Sequence, residues 1–129
     1  MKKKYLIVIA DYYKDISKGL LDSALKSIPK LSSINIIKVP GVFEIPVTIS
    51  KNIKKYDGFL ALGCVIKGET PHFDFISQAT TNAIMDISVS QKKPVGNGII
   101  TCLNMRQAKA RKSKGAEAAY AVFSVLSQK

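Results

Sequence analysis

The sequence predicts an α/β fold of three layers, in which a four-stranded parallel sheet lies between two layers of helices (α/β/α). Apolar runs alternate with segments of helical period from one end of the 129 residues to the other, the order produced when each strand is followed by a helix that crosses back over the sheet. Two of these runs, Tyr5-Leu6-Ile7-Val8-Ile9-Ala10 and Phe59-Leu60-Ala61-Leu62-Gly63-Cys64-Val65-Ile66, are apolar without interruption. Strands covered on both faces have this pattern. The connections are short, with no linker, repeat or low-complexity segment. Residues 1–129 are therefore expected to form one domain, long enough to bury a sizeable core.

Each element has its own signal. Tyr5 to Ala10 is the first strand. Ile16, Leu20, Leu21, Ala24, Leu25 and Ile28 then recur at helical spacing, and Pro29 closes that helix. Ile34 to Val39 is the second strand, ending at Pro40-Gly41. A helix begins near Ile45-Pro46, where proline is tolerated in the first turn, and runs to about Lys54. Gly58 to Ile66 is the third strand. The longest helix is expected from about Phe73 to Gln91, with Phe75, Ile76, Ala79, Ala83, Ile84 and Ile87 on its inner side. Lys93-Pro94 resets the chain for a fourth strand, Val95 to Thr101. Met105 to about Lys112 and Gly115 to Leu126 are helical, either as two helices or as one kinked around Ser113. The arrangement is flavodoxin-like.

Composition narrows the function classes. A net charge of +11 favours an anionic ligand or weak nucleic-acid contact. Lys51, Lys54, Lys55, Lys92 and Lys93 are scattered, as on a solvated surface. The densest cluster, Arg106, Lys109, Arg111, Lys112 and Lys114, points in several directions on a helix, so only one or two of its members can face a single site. A nucleic-acid surface would interleave aromatics with lysines on one face. The adjacent pair Tyr12-Tyr13 is flanked by Asp11 and Lys14 instead, so no nucleic-acid partner is expected. Cys64 and Cys102 form no Cys-x-x-Cys pair, and a single histidine cannot complete a common zinc set. Free buried thiols in a reducing cytoplasm and no metal are the expectation. After Lys2-Lys3-Lys4 the apolar run ends at Asp11, short of the roughly 7–15 residues of a secretory signal, and nothing approaches the roughly 20 apolar residues of a membrane span. A soluble cytoplasmic protein without membrane contact is expected. Its 47% hydrophobic content leaves apolar surface for burial between subunits.

The third strand leads into Lys67-Gly68-Glu69-Thr70-Pro71-His72-Phe73-Asp74, which holds the one histidine of the chain. In open parallel sheets ligands bind outside the carboxyl ends of the strands. Imidazole titrates near neutrality and can both donate and accept protons, so His72 is the acid–base candidate. Asp74 can orient it or complement the start of the long helix. Gly68-Glu69-Thr70 is either an anion-binding turn or an ordinary loop with a threonine cap. Glu44, near the end of the second strand, is either a ligand for polar groups or a first-turn carboxylate favoured by the helix dipole.

Three motifs in order carry a resemblance that decides among these readings. Val39-Pro40-Gly41-Val42-Phe43-Glu44-Ile45-Pro46, then Gly68-Glu69-Thr70-Pro71-His72-Phe73-Asp74, then Lys114-Gly115-Ala116-Glu117-Ala118-Ala119 resemble the signatures of the 6,7-dimethyl-8-ribityllumazine synthase family. The resemblance implies condensation of 5-amino-6-(D-ribitylamino)uracil with 3,4-dihydroxy-2-butanone 4-phosphate, without metal or cofactor. It implies that Gly68, Glu69, Thr70 and Arg111 of Gln107-Ala108-Lys109-Ala110-Arg111 hold phosphate, and that Lys114 lies near phosphate and heterocycle. Glu44 would accept hydrogen bonds from ribityl hydroxyls, Val42 and Phe43 would offer backbone groups, and Tyr12 would stack on the pyrimidine. Cys64, Val65, Ile66 and Asn97 complete the implied binding residues. The partners implied are the two small substrates and further copies of the chain, with the Asn97 and Arg111 side supplied by a neighbouring subunit.

The chain departs from the family pattern in places. Asp11 replaces a common arginine, Asn97 stands where some members carry a second aromatic, and the stretch between Arg111 and Lys114 is short. Few residues precede Tyr5. Members form pentamers, some of which join into icosahedral shells; an isolated pentamer, or at most a pair, is expected here. The competing reading from the fold alone is a non-catalytic flavin-binding module, which would need neither His72 nor Arg111.

Overall fold

The structure, a computed structural model, describes residues 2–129; Met1, included in the expected domain, lies outside the described residues. Strand β1 (Lys4–Ala10) leads to helix α1 (Lys14–Ser27), strand β2 (Ser33–Val39), a 3-10 turn (Val42–Glu44) and helix α2 (Ile45–Lys51). Strand β3 (Gly58–Ile66), helix α3 (His72–Gln91), strand β4 (Val95–Cys102) and helices α4 (Met105–Ala110) and α5 (Lys114–Leu126) follow. All strand pairs are parallel, in the order β2-β1-β3-β4.

The uninterrupted apolar runs are central because each residue parity faces a different helix layer. Tyr5, Ile7 and Ile9 of β1 join Leu60 and Leu62 of β3 and Ile100 of β4 under α1, α4 and α5. Leu6, Val8 and Ala10 join Phe59 and Ala61 beneath α2 and α3. Leu6, Ile7, Val8, Leu60 and Leu62 are completely buried; each such side chain contributes about 1.5–3 kcal/mol relative to exposure. The three-layer α/β/α expectation therefore holds.

Helix α1 buries Ile16, Leu20 and Ala24 at four-residue spacing and stops where expected. Ile28 is extended (φ −86°, ψ 135°), because the ring of Pro29 clashes with a helical backbone at the preceding residue. Helix α2 ends at Lys51 rather than about Lys54. Turns through Asn52–Lys55 replace its last turn, with Lys55 N–H donating to Asn52 O at 3.0 Å, and the Lys93 ammonium donates to the freed Ile53 carbonyl at 2.6 Å. The segment from Met105 to Leu126 is two helices. Helix α3 begins at His72 and is followed by Lys92 in the left-handed conformation (φ 57°).

The expected inner side of α3 needs correction. Phe75 is 68% exposed and Ala79 is also exposed, whereas Thr80 and Ile84 are buried, with Ile76 and Ile87 packed against the core. The inward stripe is thus Ile76-Thr80-Ile84-Ile87, and the helix carries a second apolar stripe that faces away from the sheet.

Candidate active site

The strand order creates the site. From β1 the chain crosses to β2 on one side, then returns to place β3 on the other side of β1. Connections leave the carboxyl ends of β1 and β3 in opposite directions, so a crevice opens there, at the topological switch point of the sheet. A cleft of about 770 Å³ occupies this position.

Its walls come from four segments. Tyr12 and Tyr13 follow β1 in a turn held at both ends: Asp11 N–H donates to Val39 O at 3.0 Å, and the buried Ser17 hydroxyl donates to Ala10 O at 2.7 Å. The two rings meet edge to face, centroids 4.9 Å apart, and Tyr12 is left 74% exposed. Gly41, Val42, Phe43 and Glu44 form the second wall, Cys64, Val65 and Ile66 the floor at the end of β3, and His72 and Ile76 of α3 the far side.

Gly63 sets the depth of this cleft. A Cβ there would lie 2.7 Å from Val42 Cγ1 and 3.1 Å from Ala10 Cβ, so the missing side chain lets the 3-10 turn settle directly onto β3. The turn is tied to α2 by the Thr48 hydroxyl, which donates to Glu44 O at 2.8 Å. The Glu44 carboxylate folds over Gly41 and makes no hydrogen bond among the described residues. Its acceptor capacity stays open to a ligand.

His72 opens α3 and is exposed. Its backbone N–H donates to the Thr70 hydroxyl at 3.4 Å, and Asp74 N–H donates to Pro71 O at 3.0 Å. Thr70 and Asp74 thus mark the first turn of the helix, and the Asp74 carboxylate makes no hydrogen bond to the imidazole. Gly68, Glu69 and Thr70 are exposed in the loop before it and do not line the cleft itself.

Cys64 is a buried, free thiol, as is Cys102. Burial, reinforced by the neighbouring Cys102, pushes the Cys64 pKa up to about 12. The thiol is therefore protonated at neutral pH and is a wall rather than a nucleophile. Burial, then Tyr12 and Cys64, also raises the pKa of Tyr13.

Asn97, Arg111 and Lys114 lie elsewhere. They line a second cleft of about 470 Å³ along the free edge of β4, with Thr101, Ser113 and Glu117 among its other walls. Arg111 follows the last turn of α4, and its Nη1 donates to Thr101 O at 3.4 Å. The Lys114 ammonium lies 3.6 Å from Glu117 Oε1. Of the basic cluster only Arg111 and Lys114 share this cleft, in keeping with the helical geometry; the Lys112 stem turns away and covers Gly19 of α1. The two clefts have no lining residue in common.

Tyr13, Gly41 and Ile76, and on the β4 side Thr101 and Glu117, were not among the residues expected at the site. Tyr13 stands beside Tyr12 and Gly41 lies in the Val39–Pro46 motif, so adjacency was a usable signal for those two. Ile76 looked like core, and nothing local marks Thr101. Among the described residues no cluster of three or more His, Cys, Asp or Glu could hold a metal ion, and no helix is long and apolar enough to cross a membrane.

Fold and clefts define a class: a parallel α/β protein with an aromatic ring, an open carboxylate and an imidazole at the switch point, and a guanidinium–ammonium cleft at the sheet edge suited to an anion. Comparison with known proteins makes this particular. The family model described as 6,7-dimethyl-8-ribityllumazine synthase matches residues 2–129. The chain is 39% identical to the 6,7-dimethyl-8-ribityllumazine synthase of Agrobacterium fabrum over 143 aligned residues, covering 100% of this chain and 97% of that protein. It is 41% identical to the one from Bartonella tribocorum, over 100% and 93% of the two chains. For Bartonella bacilliformis the figures are 43%, 96% and 88%. The chain belongs to the 6,7-dimethyl-8-ribityllumazine synthase family.

Proposed function

We propose that the protein condenses 5-amino-6-(D-ribitylamino)uracil with 3,4-dihydroxy-2-butanone 4-phosphate, giving 6,7-dimethyl-8-ribityllumazine, phosphate and water, in riboflavin synthesis in the cytoplasm. The observation that carries this reading is the division of the family's motif residues between two open clefts with complementary chemistry. One offers a stacking ring, a free carboxylate and an imidazole; the other offers a guanidinium and an ammonium. Substrates of this reaction need both kinds of contact, a flat heterocycle with a polyol chain on one side and a phosphate on the other.

The nucleophile is the amine of the uracil substrate, so no protein nucleophile is required. It attacks the ketone to give a carbinolamine, which loses water to an imine; phosphate departs by elimination, and ring closure with loss of water completes the heterocycle. Tyr12 holds the pyrimidine, Glu44 takes the ribityl hydroxyls, and His72 moves protons. Arg111 grips phosphate through its planar fork, assisted by Lys114, with the Gly68-Glu69-Thr70 loop closing over the same group. Most of the acceleration then comes from holding two reactants together, with proton transfer second.

Because the clefts share no residue, the site is read as composite: the Asn97–Arg111–Lys114 cleft of one subunit faces the Tyr12–Glu44–His72 cleft of the next. A ring of heterologous contacts, here a pentamer, provides every cleft with a partner. A non-catalytic flavin module would leave His72 and the second cleft without a role. Incubating the chain with both substrates and following lumazine fluorescence tests the proposal; product formation no faster than the uncatalysed condensation would overturn it.

A further inference from the structure

Arg111 and Lys114 sit on a tight elbow between α4 and α5, and the elbow is seated in a socket on α1. The Ser23 hydroxyl donates to Lys112 O at 2.8 Å, across 89 residues of sequence, and its oxygen accepts the Ala116 N–H at 3.1 Å. Leu20 O, at 3.1 Å, is a second acceptor for the same proton within α1. One side chain therefore bridges both ends of the segment 112–116. Its neighbours deepen the seat. A Cβ on Gly115 would overlap the Leu20 carbonyl oxygen and press on Ser23 Oγ, and a Cβ on Gly19 would overlap the Lys112 stem. Glycine at both positions lets the elbow lie against the α1 backbone.

We infer that Ser23 is a positioning residue for anion binding: by clamping Lys112 and Ala116 it fixes the Arg111 guanidinium and the Lys114 ammonium in the β4-edge cleft. This rests on the function proposed above. Ser23 does not line that cleft, and it acts only through the elbow. Without its hydroxyl, Lys112 O keeps a weak bond from Gly115 N–H at 3.3 Å and Ala116 N–H keeps Ser113 O at 3.0 Å. Both bonds are internal to the elbow, so they preserve its turn, while its placement on α1 is left to packing alone, with no hydrogen bond to fix it. A guanidinium that must meet phosphate oxygens with two parallel bonds is sensitive to shifts in that placement.

The test is Ser23→Ala in the full chain, with steady-state kinetics for each substrate and amide exchange across residues 112–116. The expected result is a KM for the butanone phosphate raised about tenfold, with kcat and the KM for the uracil changed less than about threefold, and faster exchange at the elbow. Arg111→Lys, which keeps the charge and loses the fork, moves the same constant. Ile28→Val, at the C-cap of α1 and in the core, lowers stability while leaving both Ser23 hydrogen bonds intact, and leaves the KM values in place. Equal changes in both KM values, or none, would overturn the inference. If the unaltered chain forms no lumazine, the proposed reaction fails and inorganic phosphate becomes the probe. Weaker phosphate binding in Ser23→Ala than in Ile28→Val still supports the clamp, and equal binding overturns it.

Discussion

His72 and Cys64 stand on the same cleft and are expected to respond oppositely to substitution. The imidazole is exposed, opens α3 and has no side-chain partner within the described residues, so replacing it removes a proton carrier and little packing. His72→Ala is expected to lower kcat by about 10²–10⁴-fold with both KM values nearly unchanged. Complete loss is not expected, because juxtaposition of the substrates survives; an unchanged kcat at saturation would remove His72 from the mechanism. Cys64 acts through burial. Its ordinary pKa of 9.0 rises to about 12 in the folded chain, which disfavours the thiolate there relative to the unfolded state. The resulting stabilisation is complete below about pH 9 and is lost as pH climbs from there towards 12. Urea midpoints measured from pH 8 upward should therefore fall more steeply for the natural chain than for Cys64→Ala. Burial raises Tyr5 and Tyr13 in the same direction, and since both remain in the variant, the difference between the two curves reports the thiol together with its small contribution to Tyr13. Parallel curves would contradict its assignment.

At the scale of elements, α3 shows both what local pattern can specify and where it stops. The central strands β1 and β3 were legible because an apolar run bounded by turn residues is a local property and goes with burial on both faces; the partly exposed edge strands β2 and β4 were legible from the turn residues beside them. The C-terminal end of α1 was legible for the same reason, Pro29 acting on its immediate neighbour. The inner side of α3 was not. Phe75, Ala79, Met85 and Val89 form one stripe and Ile76, Thr80, Ile84 and Ile87 another, and a helix apolar on two sides gives no local sign of which stripe meets its own sheet. The partition of the site was implied by the family resemblance and had no sign in local pattern. His72 and Arg111 both follow carboxyl ends of strands, and only the order β2-β1-β3-β4, which depends on long-range pairing, sends one to the switch point and the other to the edge. Thr80 carries a testable consequence. It is 2% exposed, and its hydroxyl has no hydrogen-bond partner among the described residues. Leaving such a group buried costs about 1–3 kcal/mol, so Thr80→Val, similar in volume and without the hydroxyl, should raise stability by about 1 kcal/mol in denaturant titration. Destabilisation would mean that the hydroxyl is bonded in solution.

For the whole molecule, the outward stripe of α3 and the net charge act against each other. Phe75, Met85 and Val89 are each at least 60% exposed on one helix face, which is the kind of apolar surface that monomers rarely keep in water. In the proposed ring these side chains pack against neighbouring subunits, and the same contacts bring the Arg111 cleft of one subunit to the His72 cleft of the next. If the ring forms as proposed, charge would limit how far assembly proceeds. Each subunit brings +11, and in a closed shell that charge is repeated over a continuous surface, where charges closer together than about 8 Å, the screening length at physiological ionic strength, repel one another with little screening. The proposed pentamer would bury the apolar stripe and leave its charge facing solvent on most sides. Light scattering at moderate salt should accordingly give a mass of five subunits, or ten if two rings pair. Val89→Lys, which sets a cation on the stripe away from both clefts, should shift that mass towards the monomer and reduce activity in proportion to the rings lost. A shell-sized particle would overturn the charge argument and leave the composite site standing. A fully active monomer would overturn the composite site, because Arg111 and His72 would then have to serve one substrate pair from within a single chain.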